Sequence, residues 1–275
     1  MKFSVLIAVY YKEQGSHLRD ALMSILDQTL VPDEIVLVKD GPLTGELDAV
    51  IEDFQNKNPG KFKIVQLPEN QGLGKALRTG LTECTHEIVA RMDSDDISEK
   101  NRFEKQVRLF EFNPDVDLVG SWTCEFYGDR NNIIAVRKVP ETHEEIVKFA
   151  KRRSPVNHVT VVFRKCSVLK AGNYMDFLWY EDYYLWVRML LNGAKMYNVQ
   201  EPLVRVRVSE EGYRRRGGWK YAIQDIKFQS KLHELGFINT FQMISNIVIR
   251  TSFRLVPNGV RAKIYQNLLR KKNYH

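Results

Sequence analysis

The chain has 275 residues, 44% of them hydrophobic and 27% charged, a composition typical of a globular protein and inconsistent with extensive disorder. Its three cysteines, Cys84, Cys124 and Cys166, are far apart, which excludes a disulfide framework and zinc-binding spacing and fits a reducing cytosol. The net charge of +7 is uneven, because residues 203–275 carry fifteen basic and four acidic side chains, which suggests contact with an anionic partner.

The first 112 residues alternate between short apolar segments and segments with helical spacing. The apolar run at residues 3–9 is too short for a signal peptide and predicts a buried strand. Further strands are predicted at residues 34–38, 62–67 and 88–90, and helices at 17–28, at 47–54, through Ala76 and Leu81, and through Phe103 and Leu109. This alternation predicts an α/β fold with a mainly parallel sheet and right-handed crossovers.

The second half of the chain is less regular. Strands are predicted at residues 116–120, 133–136, 159–163 and 203–208, helices at 142–151 and 181–191, and helical structure from residue 219 onward. No segment has the ~18 uninterrupted apolar residues that a membrane-spanning helix needs.

Three carboxylates, Asp93, Asp95 and Asp96, follow the apolar strand at residues 88–90 within four positions. Like charges this close raise one another's pKa unless a cation lies among them. Oxygen ligands favour a hard divalent ion, Mg²⁺ or Mn²⁺, and ligands of open α/β sheets bind beyond the carboxyl ends of the strands. The alternative is a helix cap, in which Asp96 or Ser98 accepts bonds from the first turn of the next helix.

Two further features are expected at the same edge of the sheet. Asp40 ends the second strand, where an acid can accept hydrogen bonds from a nucleobase or ribose, although an Asx-turn before Gly-Pro explains it equally well. Residues 70–75, Asn-Gln-Gly-Leu-Gly-Lys, place glycines before a helix as phosphate-binding loops do. Their spacing matches neither the G-x-G-x-x-G dinucleotide pattern nor the P-loop pattern, so a simple helix start is favoured for this segment taken alone.

Glu181 and Asp182 begin a predicted helix and are surrounded by Trp179, Tyr180 and two more tyrosines. Acids at a helix start suit the macrodipole, but the aromatic surroundings also suit a general base beside a bound sugar. Residues 205–218 combine five arginines with three glycines, a segment able to contact a pyrophosphate, an anionic lipid or solvent.

The order and spacing of these segments resemble family 2 glycosyltransferases of the GT-A fold, especially bacterial enzymes that build O-antigen or capsular polysaccharide. The resemblance extends from Phe3 to about Val208 and centres on Asp-Ser-Asp-Asp at residues 93–96. Other matching segments are residues 4–10, 24–29, 34–41, 70–73, 102–106, 158–165 and 181–182. It implies a Rossmann-like GT-A domain at residues 1–210, with a nucleotide-sugar half (1–112) and an acceptor half (113–210), followed by a basic helical extension at residues 211–275.

The resemblance also implies a metal-dependent, inverting transfer of one hexose, galactose or glucose, from a UDP-sugar to a lipid-linked or oligosaccharide acceptor. Asp93, Asp95 and Asp96 would hold Mn²⁺ or Mg²⁺, and Asp182, beside Glu181, would deprotonate the acceptor hydroxyl. The expected nucleotide-sugar contacts are Ala8, Val9, Tyr10, Glu13, Asp40, Asn70, Gly72, Lys75, Arg78, Asp93 and Ser94. The expected acceptor or diphosphate contacts are Trp179, Tyr180, His158, Arg207 and Arg214.

The chain departs from the family pattern at three places. Lys39 stands where many relatives have a second Asp before the nucleobase acid. Leu77 and Arg78 stand where many have Arg-Asn, which leaves open whether Lys75 or Arg78 contacts phosphate. The Gln-x-x-Arg-Trp pattern of processive synthases is absent, so a non-processive enzyme is expected.

The C-terminal segment predicts where the protein works. Apolar residues between Phe241 and Val256 are interspersed with Arg250 and Arg254, and five more basic residues follow. Such a helical pair can lie on an anionic membrane, which suits an acceptor carried on polyprenyl diphosphate at the inner face of the cell membrane. The alternative is a helical hairpin packed on the catalytic domain.

Two other functions compete with this interpretation. A sugar-1-phosphate nucleotidyltransferase has a similar sheet, but needs a glycine- and arginine-rich signature after the first strand, where this chain has Tyr-Tyr-Lys-Glu at residues 10–13. A non-enzymatic basic protein that binds membrane or nucleic acid could also retain the fold, although the sequence contains no recognisable nucleic-acid-binding module.

Overall fold

A computed structural model describes residues 1–208 and 218–255. The strands are β1 (Phe3–Val9), β2 (Glu34–Lys39), β3 (Phe62–Gln66), β4 (Ile88–Asp93), β5 (Ile97–Ser98), β6 (Val116–Phe126), β7 (Ile133–Arg137), β8 (Val162–Arg164) and β9 (Lys195–Arg207). The helices are α1 (Gly15–Leu26), α2 (Gly45–Lys57), α3 (Leu73–Glu83), α4 (Arg102–Phe112), α5 (His143–Ala150), α6 (Lys165–Lys170), α7 (Glu181–Leu191), α8 (Trp219–Glu234) and α9 (Thr240–Leu255).

The strands form one sheet in the order β3-β2-β1-β4-β8-β6-β9-β5, and β7 pairs with β6. The first four strands in this order are parallel, as the alternation of strand and helix in the sequence predicts. From β4 onward the sheet is mixed: β8 is antiparallel to both β4 and β6, whereas β6 and β9 are parallel. The expected α/β class with flanking helices is confirmed.

Helices cover both faces of the sheet, which explains why the central strands are apolar along their whole length. One face packs against α1, α2 and α4, with Leu22, Phe54 and Phe103 in the core. The other packs against α3, α6 and α7, with Leu77 and Trp186 fully buried. The sheet is therefore fixed from both sides, and its carboxyl edge is held in a defined position.

The structure differs from the sequence-based prediction in several element bounds, most of them in the second half of the chain. Residues 158–160 form a 3-10 turn, and the strand predicted at 159–163 is reduced to β8. The two-residue strand β5 and the short helix α6 were not predicted, and β9 begins eight residues before the predicted segment at 203–208. Pairing of β9 with the long β6, through several register shifts, extends it beyond what its local alternation indicates.

Helices α8 and α9, the C-terminal hairpin, pack on the α/β domain that contains the sheet, as in the alternative prediction for this segment. Phe228 and Leu232 of α8 are fully buried against α7. Asp225, also fully buried, pairs with Arg250 and Arg254 of α9 at 2.6 and 2.9 Å. Among the helices of residues 1–208 and 218–255, none is long and apolar enough to cross a membrane.

Candidate active site

The acidic cluster lies at the carboxyl edge of the parallel part of the sheet. In the strand register Ala8 of β1 is opposite both Val38 of β2 and Asp93, the last residue of β4. Asp40 immediately follows β2, so it shares this edge with Asp93. The structure thus brings together the first and second acidic features that the sequence predicts.

Carboxylate oxygens of Asp93, Asp95 and Asp96 lie within 4.8 Å of one another, a spacing that one metal ion can bridge. Burial raises the pKa of Asp95 to about 7, with contributions from the charges of Asp93 and Glu13. Burial, together with Asp95 and Asp93, also raises the pKa of Asp96. The positive charge near these two carboxyl groups therefore compensates them only in part, and a divalent cation would supply the rest.

Neither of the proposed caps is formed at α4. The N-cap residue is Asn101, and no side chain caps the helix. Asp96 accepts the backbone N–H of Arg207 at 2.9 Å, and the hydroxyl of Ser98 accepts a bond from buried Arg102 at 2.9 Å. The capping explanation of the acidic cluster is thus wrong.

Arg91 is a buried cation in this region that the sequence-based reasoning missed. Its guanidinium donates to both carboxylate oxygens of Asp93, one of them at 2.8 Å. Arg91 and Asp93 are two residues apart in β4, so their side chains point to the same face of the sheet. The sequence signal for this pair was a charged residue inside the otherwise apolar run of β4. Arg91 neutralises part of the cluster from inside the protein, on the side away from solvent.

A cleft of about 410 Å³ opens in front of this edge. Its lining contains most of the predicted nucleotide-sugar residues: Ala8, Val9, Tyr10, Glu13, Asp40, Asn70, Gly72, Asp93 and Ser94, together with Leu73 and Asp95. The hydroxyl of Ser94 donates to Glu13 at 3.1 Å, which joins the loop after β1 to the acidic cluster. The cleft is therefore built from the loops that follow β1, β2, β3 and β4 at one edge of the sheet.

Asp40 connects two of these loops. One carboxylate oxygen accepts the N–H of Gln71 at 2.7 Å, and the other accepts the N–H of Gly72 at 3.0 Å. Gly72 has a φ of +90°, which a residue with a side chain adopts only with strain. Asp40 thus holds the glycine loop in the conformation that starts α3, a role different from the Asx-turn weighed for it.

The Glu181–Asp182 pair occupies the first turn of α7 and faces the same region. A Cβ added at Gly74 would lie 3.5 Å from the Cβ of Glu181, so the starts of α3 and α7 are in close approach. Burial raises the pKa of Glu181, with contributions from Asp182 and Asp93. Burial also raises the pKa of Asp182, an increase limited by the Tyr183 N–H and the charges of Arg137 and Arg91.

Several predicted contacts lie elsewhere. Tyr180 is buried, stacks on Phe228 with ring centroids 4.5 Å apart and donates its hydroxyl to Asp225, so its ring is unavailable as a platform for sugar. His158 bonds the hydroxyl of Tyr174 at 2.9 Å, and burial together with Arg91 lowers its pKa. Tyr180 is therefore a packing residue of the core beneath the hairpin, whereas His158 is partly exposed and its ring is engaged by Tyr174.

The basic residues expected at phosphate are also placed away from the cleft or are already engaged. The Nζ atom of Lys75 lies 3.8 Å from a carboxylate oxygen of Asp176. Arg78 is exposed on α3 and does not line the cleft. The Arg207 side chain donates to the carbonyl oxygen of Asp95 and to Asp20, at 3.1 and 3.0 Å. Arg214 lies outside the described residues.

Trp179 lies two residues before Glu181 and has an uncommon backbone conformation. Its φ of +68° lies in the left-handed region, where a bulky residue is strained. Its ring is partly exposed and stacks on Tyr221 of α8, with centroids 3.7 Å apart and planes 11° from parallel. This predicted acceptor contact therefore stands between the acidic pair and the C-terminal hairpin.

Comparison with known proteins gives concordant results. The model of the family described as "Glycosyl transferase family 2" matches residues 4–175. The chain is similar to the UDP-Gal:alpha-D-GlcNAc-diphosphoundecaprenol beta-1,3-galactosyltransferase of Escherichia coli, with 41% identity over 270 residues, 98% of this chain and 97% of the relative. It is also 41% identical over 267 residues to the amylovoran biosynthesis glycosyltransferase AmsE of Erwinia amylovora, covering 96% of this chain and 98% of the relative.

Among solved structures, the mannosyltransferase PcManGT of Pyrobaculum calidifontis, in complex with GDP-Man and Mn²⁺, matches with a TM-score of 0.63 and 16% identity. The alignment covers 95% of this chain and 72% of that one. At this identity the likeness shows the fold.

Proposed function

The chain belongs to glycosyl transferase family 2 and has the GT-A fold, and from this we infer that it transfers a hexose from a UDP-sugar to a lipid-linked acceptor during surface polysaccharide synthesis. The observation that carries the proposal is the placement of Asp93, Asp95 and Asp96 at the cleft edge opposite the Glu181–Asp182 pair. The three aspartates would hold a metal ion at the donor diphosphate, and the Glu181–Asp182 pair would contact the acceptor.

The donor site is the cleft lined by Ala8, Tyr10 and Asp40. The loops after β1 and β2 enclose the nucleoside, as the resemblance implies, and the loop after β3 is held in place beside them by the Asp40 bonds to Gln71 and Gly72. Preformed loops lower the ordering cost of binding. UDP is the favoured nucleotide because the E. coli relative is described as a UDP-Gal enzyme.

The acidic cluster fits a divalent ion, Mn²⁺ or Mg²⁺. Its three carboxylates converge within 4.8 Å, and two of them have raised pKa values. Because both oxygens of Asp93 are engaged by Arg91, Asp95 is the best-placed direct ligand. A bound divalent ion would neutralise the negative charge that develops on the departing nucleoside diphosphate.

Asp182 is the proposed general base. It lies in the first turn of α7, where backbone N–H groups favour the ionised form, and burial brings its pKa closer to the working pH. Ionised Asp182 accepts the proton of the acceptor hydroxyl while the hydroxyl oxygen attacks the anomeric carbon from the face opposite the leaving group. The single displacement inverts that centre, and one sugar is added per event.

We place the protein at the cytoplasmic face of the cell membrane, because a polyprenyl-diphosphate acceptor is anchored there. The support is the name of the E. coli relative, a diphosphoundecaprenol-linked substrate, at 41% identity across nearly the whole chain. The similarity to the AmsE protein, named for amylovoran biosynthesis, favours the same class of pathway.

Thermal shift with UDP, GDP, CDP and dTDP, each with and without Mn²⁺, tests the donor site. We expect UDP to raise the melting temperature in a metal-dependent way, since a ligand that binds only the native state stabilises it. Asp95→Asn should remove the dependence on metal. Stabilisation by no nucleotide would refute the donor-site assignment.

Transfer assays with UDP-galactose and UDP-glucose test the base. Asp182→Asn should lose transfer by at least about 10²-fold while still binding nucleotide, as expected when a general base is removed. Asp115→Asn is the matched control, because it makes the same isosteric change at a surface acid with 77% exposure outside the cleft, and it should leave transfer unchanged. Retention of transfer by Asp182→Asn would contradict the assignment.

A further inference from the structure

The outer sides of both helices of the C-terminal hairpin expose large apolar side chains. On α8 these are Trp219, Ile223 and Ile226, whose spacing of four and three residues places them on one side of the helix. On α9 they are Phe241, Ile244, Val248 and Ile249, at 80%, 54%, 58% and 65% exposure. These two strips are defined here as the apolar strips of the hairpin.

The apolar strips are not a sign of a loosely attached hairpin. The inner side of α8 buries Ala222, Phe228 and Leu232 completely. Asn246 of α9 donates to the carbonyl oxygen of Lys151 and to Gln229, both at 2.8 Å. Because the inner sides already satisfy the packing of the hairpin, the outer strips have no role in its attachment to the domain.

The charge around the strips is positive. The two acids of the hairpin are engaged within it, since Asp225 is buried between Arg250 and Arg254 and Glu234 pairs with Lys231 at 2.7 Å. The side chains of Lys220 and Lys227 are exposed beside the α8 strip.

Further basic residues come from outside the hairpin. Arg152 and Arg153, after α5, are exposed next to α9, because Arg250 donates to the carbonyl oxygen of Arg152 at 3.3 Å. In the sequence after α9, residues 256–275 contain five lysines and arginines and no acid, and these residues lie outside the part of the chain that the structure describes. Apolar side chains flanked by basic ones suit the surface of an anionic bilayer.

The hairpin is continuous with the acceptor side of the site. Tyr221 of α8 stacks on Trp179, which stands three residues before Asp182. We propose that the apolar strips dock the protein onto an anionic lipid bilayer and turn the acceptor side of the site toward it. This rests on the proposed function, in which the acceptor sugar lies one diphosphate away from the membrane.

Vesicle co-sedimentation of the full chain tests the surface. The probes are vesicles of phosphatidylglycerol mixed with phosphatidylcholine and vesicles of phosphatidylcholine alone, without nucleotide or metal. The test variant is Phe241→Ser/Ile244→Ser/Ile249→Ser. The matched control is Met23→Ser/Val31→Ser/Phe112→Ser, three exposed apolar side chains on other parts of the domain, at 56%, 42% and 76% exposure.

We expect the wild type and the control variant to bind the anionic vesicles, and the hairpin variant to bind at least about tenfold more weakly, because three apolar side chains no longer enter the bilayer. Binding to phosphatidylcholine alone should be weaker for all three proteins. Equal binding by the two variants, or no binding by the wild type, overturns the proposal.

Size-exclusion chromatography of the same proteins separates the other occupants of the strips. A wild type that dimerises, with a monomeric hairpin variant, would assign the strips to a second copy and overturn membrane docking. Vesicle binding is measured without substrates, whereas the proposed function is measured by transfer from the UDP-sugar to an acceptor that lacks the long lipid. The two proposals can therefore fail independently.

Discussion

Replacing Arg91 by methionine tests the structural claim that one buried cation holds the acidic cluster together. The Arg91 side chain is 2% exposed and its partner Asp93 is 32% exposed. Removing one partner of a fully buried ion pair costs about 3–5 kcal/mol because the other charge is left uncompensated. Since Asp93 keeps about a third of its surface in water, we expect a loss of about 2–3 kcal/mol.

Thermal and urea denaturation of the metal-free protein measure this loss, and for a chain of this size it corresponds to a decrease in melting temperature of about 4–6 °C. Adding Asp93→Asn to Arg91→Met should recover about 1–2 kcal/mol relative to the sum of the single variants, because the two residues share one interaction. Arg19→Met is the control: its pair with Asp53 lies on the surface, at 46% and 34% exposure, and should change stability by about 0.5 kcal/mol or less. Additive effects of Arg91→Met and Asp93→Asn, or a loss no larger than that of the control, would refute the reasoning.

Three further outcomes follow from the same structure. The acidic limb of the pH profile of kcat/KM should lie above the ordinary aspartate value of 3.8, because burial raises the pKa of Asp182 and activity needs its ionised form; a limb at or below 3.8 contradicts this. The metal-free protein should lose stability as pH rises between 3.8 and about 7, because the native state holds a proton on Asp95 that the unfolded chain has released; Asp95→Asn should flatten that slope in thermal denaturation. Asp225→Asn should cost about 3 kcal/mol in urea denaturation, because it removes the fully buried carboxylate that compensates the partly buried Arg250 and Arg254, and an unchanged midpoint would show that these pairs contribute nothing.

The sequence predicted the parts of the fold that depend on local pattern. The alternation of buried strands and amphipathic helices up to α4 was recovered, and α7 was predicted with its observed bounds. The acidic cluster and the loops that line the cleft were also placed at the correct edge, because the carboxyl ends of parallel strands meet there. The elements, the acidic cluster and the position of Asp40 follow from periodicity and chain order, whereas the other cleft residues were assigned through the resemblance to family 2 glycosyltransferases.

The parts that failed depend on contacts between distant residues. β9 is extended by its pairing with β6, which lies some eighty residues away in the chain. Tyr180 was assigned to the acceptor because of its neighbours in sequence, yet its partners Phe228 and Asp225 lie in α8. The Arg91 pair with Asp93 was overlooked because the arginine inside the apolar run of β4, although an available signal of burial, does not by itself identify its partner.

Helix α7 has a mechanical consequence for the enzyme. It carries the acidic pair on its first turn and packs its Tyr183 and Val187 against the hairpin further along. With 11 residues it is a rigid arm about 16 Å long, so a tilt of about 5° about its far end moves the acidic pair by roughly 1.4 Å. A displacement of about 1 Å can cost 10²-fold in rate. A substitution that loosens the packing of Phe228 would therefore lower the rate of transfer, although Phe228 is remote from the cleft. A screen for inactive variants would then find residues of the hairpin as well as the proposed catalytic residues.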